Sequence, residues 1–251
     1  MFEPRVALAS LSGESDAEWA VAGNEWAGAA FLGGLALDDA TQDAASRMVS
    51  ERDRSEFLPA DPHAFMERQL EAVASLDLRP GFNVRAVDLD ALERAAQICA
   101  DHDAILEINA HCRQPEMTAL GAGQALLKNP EALARRVEVA ASTGATVSVK
   151  GRAEVQGVDL PALAERLEAA GGDILHVDAM DSEPVIAEVD ERTDVFLIAN
   201  NEVRDRESVR EYFSYGADAV SVARPSTEPA VLERVHAAVA DWFDTKAADS
   251  P

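Results

Sequence analysis

Lysine is almost absent from this chain, occurring only at positions 128, 150 and 246, yet Lys150 closes the apolar run Thr146-Val147-Ser148-Val149. An ammonium at the end of a buried run is costly unless an anion meets it. That anion is a bound phosphate or charged ring, or else a carboxylate of the chain itself, Glu107 or Asp178. Cys112 follows Asn109 by three residues in a loop reaching Pro115, off any periodic apolar face. Its thiol is either a proton-transfer group or a small loop hydrophobe. His176 ends the run Ile174-Leu175, where a rim hydrogen bond and a buried core imidazole are both open readings. Arg224 leads into Pro225-Ser226-Thr227-Glu228, which can start a short helix whose N–H groups hold an anion; the alternative is a solvated arginine. Cys99, seven residues after Leu92 on one helical face, belongs to the core. His63, His102 and His236 are expected at the surface, whereas His111, beside Cys112, either joins the site or faces solvent.

These residues need a frame. Eight short apolar runs alternate with helical patterns: Arg5–Ala9, Ala29–Leu32, Phe82–Arg85, Ala104–Asn109, Thr146–Lys150, Ile174–Val177, Val195–Asn200 and Ala219–Val222. Repeated βα units imply a parallel sheet, and eight of them imply an α/β fold of the TIM (β/α)8 barrel type. Asn129 caps a helix with Pro130 in its first turn, and Asp159 precedes another with Leu160, Leu163 and Leu167 on one face. Trp19 and Trp26, seven apart in the first helical segment, read as one core-facing stripe. Glu51–Glu56 reads as a solvated charged turn between the second strand and its helix. Residues 1–251 read as a single barrel domain with a short disordered tail at Ala247–Pro251. In such a barrel the chemistry gathers where strands end. Those ends carry Glu107 and Asn109, Lys150 and Arg152, His176 and Asp178, Asn200-Asn201, and Arg224.

With 22 basic and 46 acidic side chains the formal charge is −24, which excludes a generally basic surface for holding polyanions. Any nucleic-acid contact is therefore local. Acidity together with scarce lysine suggests adaptation to high salt, where self-repulsion is screened; a moderately acidic mesophilic protein is the alternative. Two cysteines, without a C-x-x-C pair or a Cys/His cluster, exclude a disulfide framework and give no metal site. Charges at Glu3, Arg5, Glu14, Asp16 and Glu18 break up any apolar leader, and nowhere do 18 apolar residues run together. A cytoplasmic protein without a membrane span is expected.

Three ordered segments resemble the dihydrouridine synthase family of FMN-dependent barrels. They are Glu107-Ile108-Asn109-Ala110-His111-Cys112, Gly121-Ala122-Gly123-Gln124-Ala125-Leu126-Leu127-Lys128-Asn129-Pro130, and Val147-Ser148-Val149-Lys150-Gly151-Arg152. Ile198-Ala199-Asn200-Asn201-Glu202-Val203 is similar to the family's Ala-Asn-Gly-Asp-Ile element. Gly216-Ala217-Asp218-Ala219-Val220 with Ala223-Arg224 is similar to its closing segment. The likeness spans about residues 104–224, with a looser one at Ala7–Trp19.

The resemblance implies FMN across the barrel mouth, with Lys150 on the flavin ring or ribityl chain and His176 beside the flavin or the substrate base. Asn200, Asn201, Ala223 and Arg224 would hold the FMN phosphate. Asn109 would orient a pyrimidine, with Arg152 also on the substrate. Cys112 would protonate one carbon of the pyrimidine double bond while reduced flavin delivers hydride to the other. tRNA is the implied substrate and NAD(P)H the implied reductant. The chain departs from the family pattern in several places. Two extra residues precede the loop proline, Asn83-Val84-Arg85 stands where the family has a glutamine, His176-Val177-Asp178 replaces His-Gly-Arg, and Asn201 and Ala223 replace glycines. The chain also ends soon after the eighth unit, where the family continues into a helical domain. That ending and the acidity favour a small pyrimidine, as in a dihydroorotate or dihydropyrimidine dehydrogenase. A flavin-free barrel binding a phosphorylated metabolite is a third reading.

Overall fold

The computed structural model describes residues 1–52 and 54–248. Its strands are β1 (Val6–Leu8), β2 (Ala29–Ala36), β3 (Arg79–Arg85), β4 (Ile105–Asn109), β5 (Thr146–Arg152), β6 (Ile174–Asp178), β7 (Phe196–Asn200) and β8 (Ala219–Val222). Each pairs in parallel with the next, and β8 pairs with β1, closing a TIM (β/α)8 barrel. The eight apolar runs of the sequence are these eight strands. The helices are α1 (Ala17–Gly23), α2 (Asp39–Arg52), α3 (Pro62–Val73), α4 (Leu89–Asp101), α5 (Pro115–Thr118), α6 (Pro130–Ala141), α7 (Leu160–Ala169), α8 (Val185–Asp190), α9 (Arg206–Ser214) and α10 (Pro229–Ala248). A 3₁₀ turn, Arg224–Thr227, separates β8 from α10. Helix starts follow their capping residues: Asn129 Oδ1 accepts from Ala132 N at 3.2 Å and Asp159 Oδ1 from Ala162 N at 3.0 Å.

Successive strand residues face opposite sides, so each strand sorts its own chemistry. Outward-facing Leu106 and Ile108, Val147 and Val149, and Leu175 and Val177 join the large cluster beneath the helices. The inward set begins apolar: Phe2, Ala7, Ala29, Phe31, Ile105, Ile174, Ile198 and Ala219 fill the floor of the barrel. Two residues further along the same strands it turns polar, with Glu107, His176 and Ser221 all buried. The alternate strands β2, β4, β6 and β8 thus supply one layer of Phe31, Glu107, His176 and Ser221. The rings of Phe31 and His176 lie 5.3 Å apart.

Several local expectations change. α2 continues through Glu51 and Arg52, and the Glu56 side chain is fully buried against Arg85, because a guanidinium enclosed at the end of β3 needs a counterion. Glu51–Glu56 is therefore not a solvated turn; within it, Asp53 lies outside the described residues. α1 ends at Gly23, so Trp26 falls beyond the helix, although both tryptophans pack partly buried against the core. His63 is buried, its Nε2 2.9 Å from the Ala91 carbonyl oxygen. In the expected tail, α10 runs to Ala248, and residues 249–251 lie outside the described residues. No helix among the described residues is long and apolar enough to cross a membrane.

Candidate active site

Glu107 is the hub of the polar interior. Its Oε1 accepts from Asn83 Nδ2 at 2.6 Å, and its Oε2 accepts from His176 Nδ1 at 2.7 Å and from Ser148 Oγ at 3.3 Å. The chain of bonds runs on in both directions. Asn109 Nδ2 donates to Asn83 Oδ1 at 2.9 Å, while His176 Nε2 meets Ser221 Oγ at 2.7 Å, which accepts from Asn200 Nδ2 at 2.6 Å. Burial disfavours the Glu107 carboxylate, but the charge and hydrogen bond of His176, the Lys150 charge and the Asn83 amide outweigh it and hold Glu107 below the usual carboxylate range. Burial pushes His176 down more strongly than Glu107 raises it. A neutral imidazole donating from Nδ1 and accepting the Ser221 hydroxyl satisfies every contact.

One layer above lie the strand ends. Asn109, Lys150 and His176 are successive register partners across β4, β5 and β6, and so are Arg152, Asp178 and Asn200 across β5, β6 and β7. Lys150 is only 5% exposed; its carbonyl accepts from Ala110 N at 2.8 Å, but its ammonium makes no hydrogen bond or ion pair with the described residues. Burial lowers its affinity for a proton, against the more distant charges of Glu107 and Asp178. His111 Nε2 lies 2.6 Å from Asp178 Oδ2, forming a rim dyad. Burial holds His111 below its ordinary value, whereas the hydrogen bond and charge of His111, with Arg152, keep Asp178 ionised despite its own burial. Arg152 Nη2 reaches Met180 Sδ at 2.7 Å.

The Cys112 loop is fixed by its backbone. Asn109 Oδ1 accepts from His111 N at 3.1 Å and from Cys112 N at 2.9 Å, and Gln124 N donates to the Cys112 carbonyl at 2.8 Å. Gly123, at φ +59°, seals the other side: a Cβ there would stand 2.4 Å from that carbonyl oxygen. The half-buried Cys112 packs against Ala36, Ala44, Ala45, Met48 and Met117. Cys99 is fully buried in the main core.

Across the mouth, Asn201 takes φ 125°, a conformation that favours glycine, and its Nδ2 donates to the Met180 carbonyl at 2.8 Å. Ala223 adopts φ −92°, so no left-handed strain attends an alanine at that position. The backbone N–H groups of Asn201, Ala223 and Arg224 donate to no acceptor among the described residues. The exposed Arg224 guanidinium is likewise unpaired among them, and Trp19 Nε1 anchors the adjoining 3₁₀ turn by donating to Ser226 Oγ at 3.1 Å. Uncommitted N–H groups beside a free guanidinium make a donor set that fits a phosphate monoester, and the Lys150 ammonium fits an anionic ring. The residues present therefore fit FMN.

Asn109 ends β4 and Lys150 and Arg152 end β5, with Cys112 in the loop after β4, while Asn200, Asn201, Ala223 and Arg224 lie at the ends of β7 and β8. His176 does not stand with them; it lies a layer below, without exposed surface. Sequence reasoning passed over Glu107 as a hub, Asn83, Ser221, the Arg85–Glu56 pair and the His111–Asp178 dyad. Strand parity was the available signal, since Glu107 precedes Asn109 by two residues and His176 precedes Asp178 by two. Among the described residues no group of three or more His, Cys, Asp or Glu side chains is placed to hold a metal.

The family model for dihydrouridine synthase (Dus) matches residues 81–249. An uncharacterized protein of Methanocaldococcus jannaschii is 32% identical over 235 residues, covering 88% of this chain and 89% of its own. Among solved structures, morphinone reductase in complex with tetrahydroNAD matches with TM-score 0.64 at 15% identity, over 94% of this chain and 87% of that one. FabK from Thermotoga maritima matches with TM-score 0.58 at 14% identity, over 90% of this chain; the chain spans 60% of FabK's length. The two structural likenesses show the fold. By the family match and the archaeal relative, the chain belongs to the dihydrouridine synthase family.

Proposed function

We propose that the protein is an FMN-dependent oxidoreductase that reduces the C5=C6 bond of uridine in tRNA, with NAD(P)H as the reductant and the cytoplasm as its place of work. One observation carries this reading: a single carboxamide, Asn109, pins the backbone of the Cys112 loop beside the strand end of Lys150, a residue 5% exposed whose ammonium has no hydrogen-bond partner among the described residues. Asn201, Ala223 and Arg224 hold the cofactor phosphate, with Asn200 behind them, and Lys150 takes the anionic side of the ring system. Bound FMN supplies hydride chemistry. Cys112 gives its proton to the pyrimidine carbon, while Arg152 and the free N–H of Asn109 orient the base. His176 acts as a positioning residue through Glu107 and Ser221. Family membership and the donor set of the mouth support this assignment.

A free pyrimidine is the second reading, favoured by a net charge of −24, which opposes a polyanionic substrate. Incubating the FMN-loaded protein and NADPH with unmodified tRNA or with uracil, then weighing the bases by mass spectrometry, tests both. The expected result is a gain of two hydrogens at uridine in tRNA. The same gain on uracil alone moves the assignment to the second reading. Protein that stays colourless in excess FMN overturns both.

A further inference from the structure

His111 lies in the loop after β4, yet its ring reaches Asp178 at the end of β6, so the imidazole crosses the end of β5, the strand that carries Lys150 and Arg152. Its side chain is 33% exposed, and its Nδ1 has no hydrogen-bond partner among the described residues. Asp178 fixes what that nitrogen can do. An ionised carboxylate only accepts, so His111 Nε2, 2.6 Å from Asp178 Oδ2, carries the proton. Burial disfavours the imidazolium, and a neutral ring protonated at Nε2 presents a lone pair at Nδ1.

That lone pair stands among donors. Lys150 and Arg152 can only donate, and the one contact of the Arg152 guanidinium is the Met180 thioether. The neighbouring side-chain acceptors are already engaged: Asn109 Oδ1 by the N–H groups of His111 and Cys112, Asp178 Oδ1 by Met180 N, and Asp178 Oδ2 by His111 itself. Cationic donors around one neutral acceptor match an imide, whose N–H lies between two carbonyl groups. A cytosine-type base carries a bare ring nitrogen in place of that N–H, so its lone pair would face that of Nδ1 and leave both unpaired.

We propose that His111 is a specificity-determining residue whose Nδ1 accepts the N–H of an imide, the group shared by uracil-type bases and the flavin ring. The inference deepens the proposed function and rests on a pyrimidine or a flavin binding at this mouth. Asp178 is the positioning residue that holds the imidazole in the accepting tautomer.

The test is equilibrium binding without a reductant, so that no turnover enters. Oxidised FMN-loaded protein is titrated with uridine and with cytidine, each as the nucleoside and within a short RNA hairpin, and followed by flavin absorbance. Flavin-free protein is titrated with FMN and with its N3-methyl analogue, followed by fluorescence quenching. His111→Phe keeps a ring at this position without the lone pair. It is expected to cut the wild-type preference for uridine over cytidine about tenfold, the scale of one hydrogen bond with its partner otherwise idle, through weaker binding of uridine. A loss of that size on the flavin pair instead assigns the imide to the cofactor. Equal preferences in wild type and variant, on every pair that binds, overturn the proposal. If His111→Phe does not fold, His111→Ala is read in the same way. Protein that binds FMN and a pyrimidine with unaltered preferences loses this inference alone, whereas protein that binds neither loses the proposed function with it.

Discussion

His176 Nδ1 and Glu107 Oε2 meet at 2.7 Å in the interior of the barrel, with neither side chain exposed. The contact links the two halves of the mouth. From Glu107 the bonds pass through Asn83 to Asn109 and the Cys112 loop; from His176 they pass through Ser221 to Asn200. A fully bonded buried network fixes geometry, and an incomplete one is costly, so each member constrains the rim above it.

Glu107→Gln places an amide N–H against donors that now meet a carboxylate. It is expected to cost about 3 kcal/mol of stability, the scale of leaving buried hydrogen bonds to a charged group unmade. Ser221→Ala, which removes one hydroxyl, is expected to cost about 1 kcal/mol. Urea denaturation midpoints check both; equal, small losses would remove Glu107 as the hub.

Stability should fall on acidification. The folded-state value of His176 lies below its ordinary one, so the unfolded chain takes up a proton first as pH drops below about 6.5. Glu107 is also held below its ordinary value. Its contribution is complete above the unfolded value of about 4.3 and disappears as pH falls through the lower folded one. Both groups act with the same sign. Thermal midpoints from pH 8 to pH 4 should decline in wild type, and Glu107→Gln should flatten the lower part of the curve.

The barrel was legible because all eight strands are apolar on their outward faces, and breaks between them carry caps such as Asn129 and Asp159. The rim residues were legible because strand ends are where a barrel gathers chemistry. The buried layer was harder to read: Glu107 and His176 look like rim residues until parity places them two positions deeper than Asn109 and Asp178. The Arg85–Glu56 pair was hidden for another reason. Its members lie 29 residues apart, with α3 and the length of β3 between them. Local charge density made Glu56 look solvated, and only the tertiary demand of Arg85 buries it.

Lys150→Met should weaken FMN binding at least tenfold while leaving the thermal midpoint level or raising it, because the ammonium of this largely buried residue lacks a hydrogen-bond partner among the described residues. Fluorescence quenching on FMN titration and a melt of the flavin-free protein check this. Normal FMN affinity with a large melting loss would assign Lys150 a structural role.

A formal charge of −24 should make stability strongly dependent on salt. The screening length shrinks from about 10 Å at 0.1 M to about 3 Å at 1 M, so melting temperature should climb across that interval. A flat response would count against adaptation to high salt.

The central claim is that Cys112 delivers a proton at a flavin-bearing mouth. Its most direct test is anaerobic stopped-flow oxidation of the reduced FMN-loaded protein by unmodified tRNA, in wild type and Cys112→Ala. The account predicts equal FMN content and oxidation slowed by about 10²–10⁴ in the variant. Equal rates in the two proteins, each fully loaded, would contradict it.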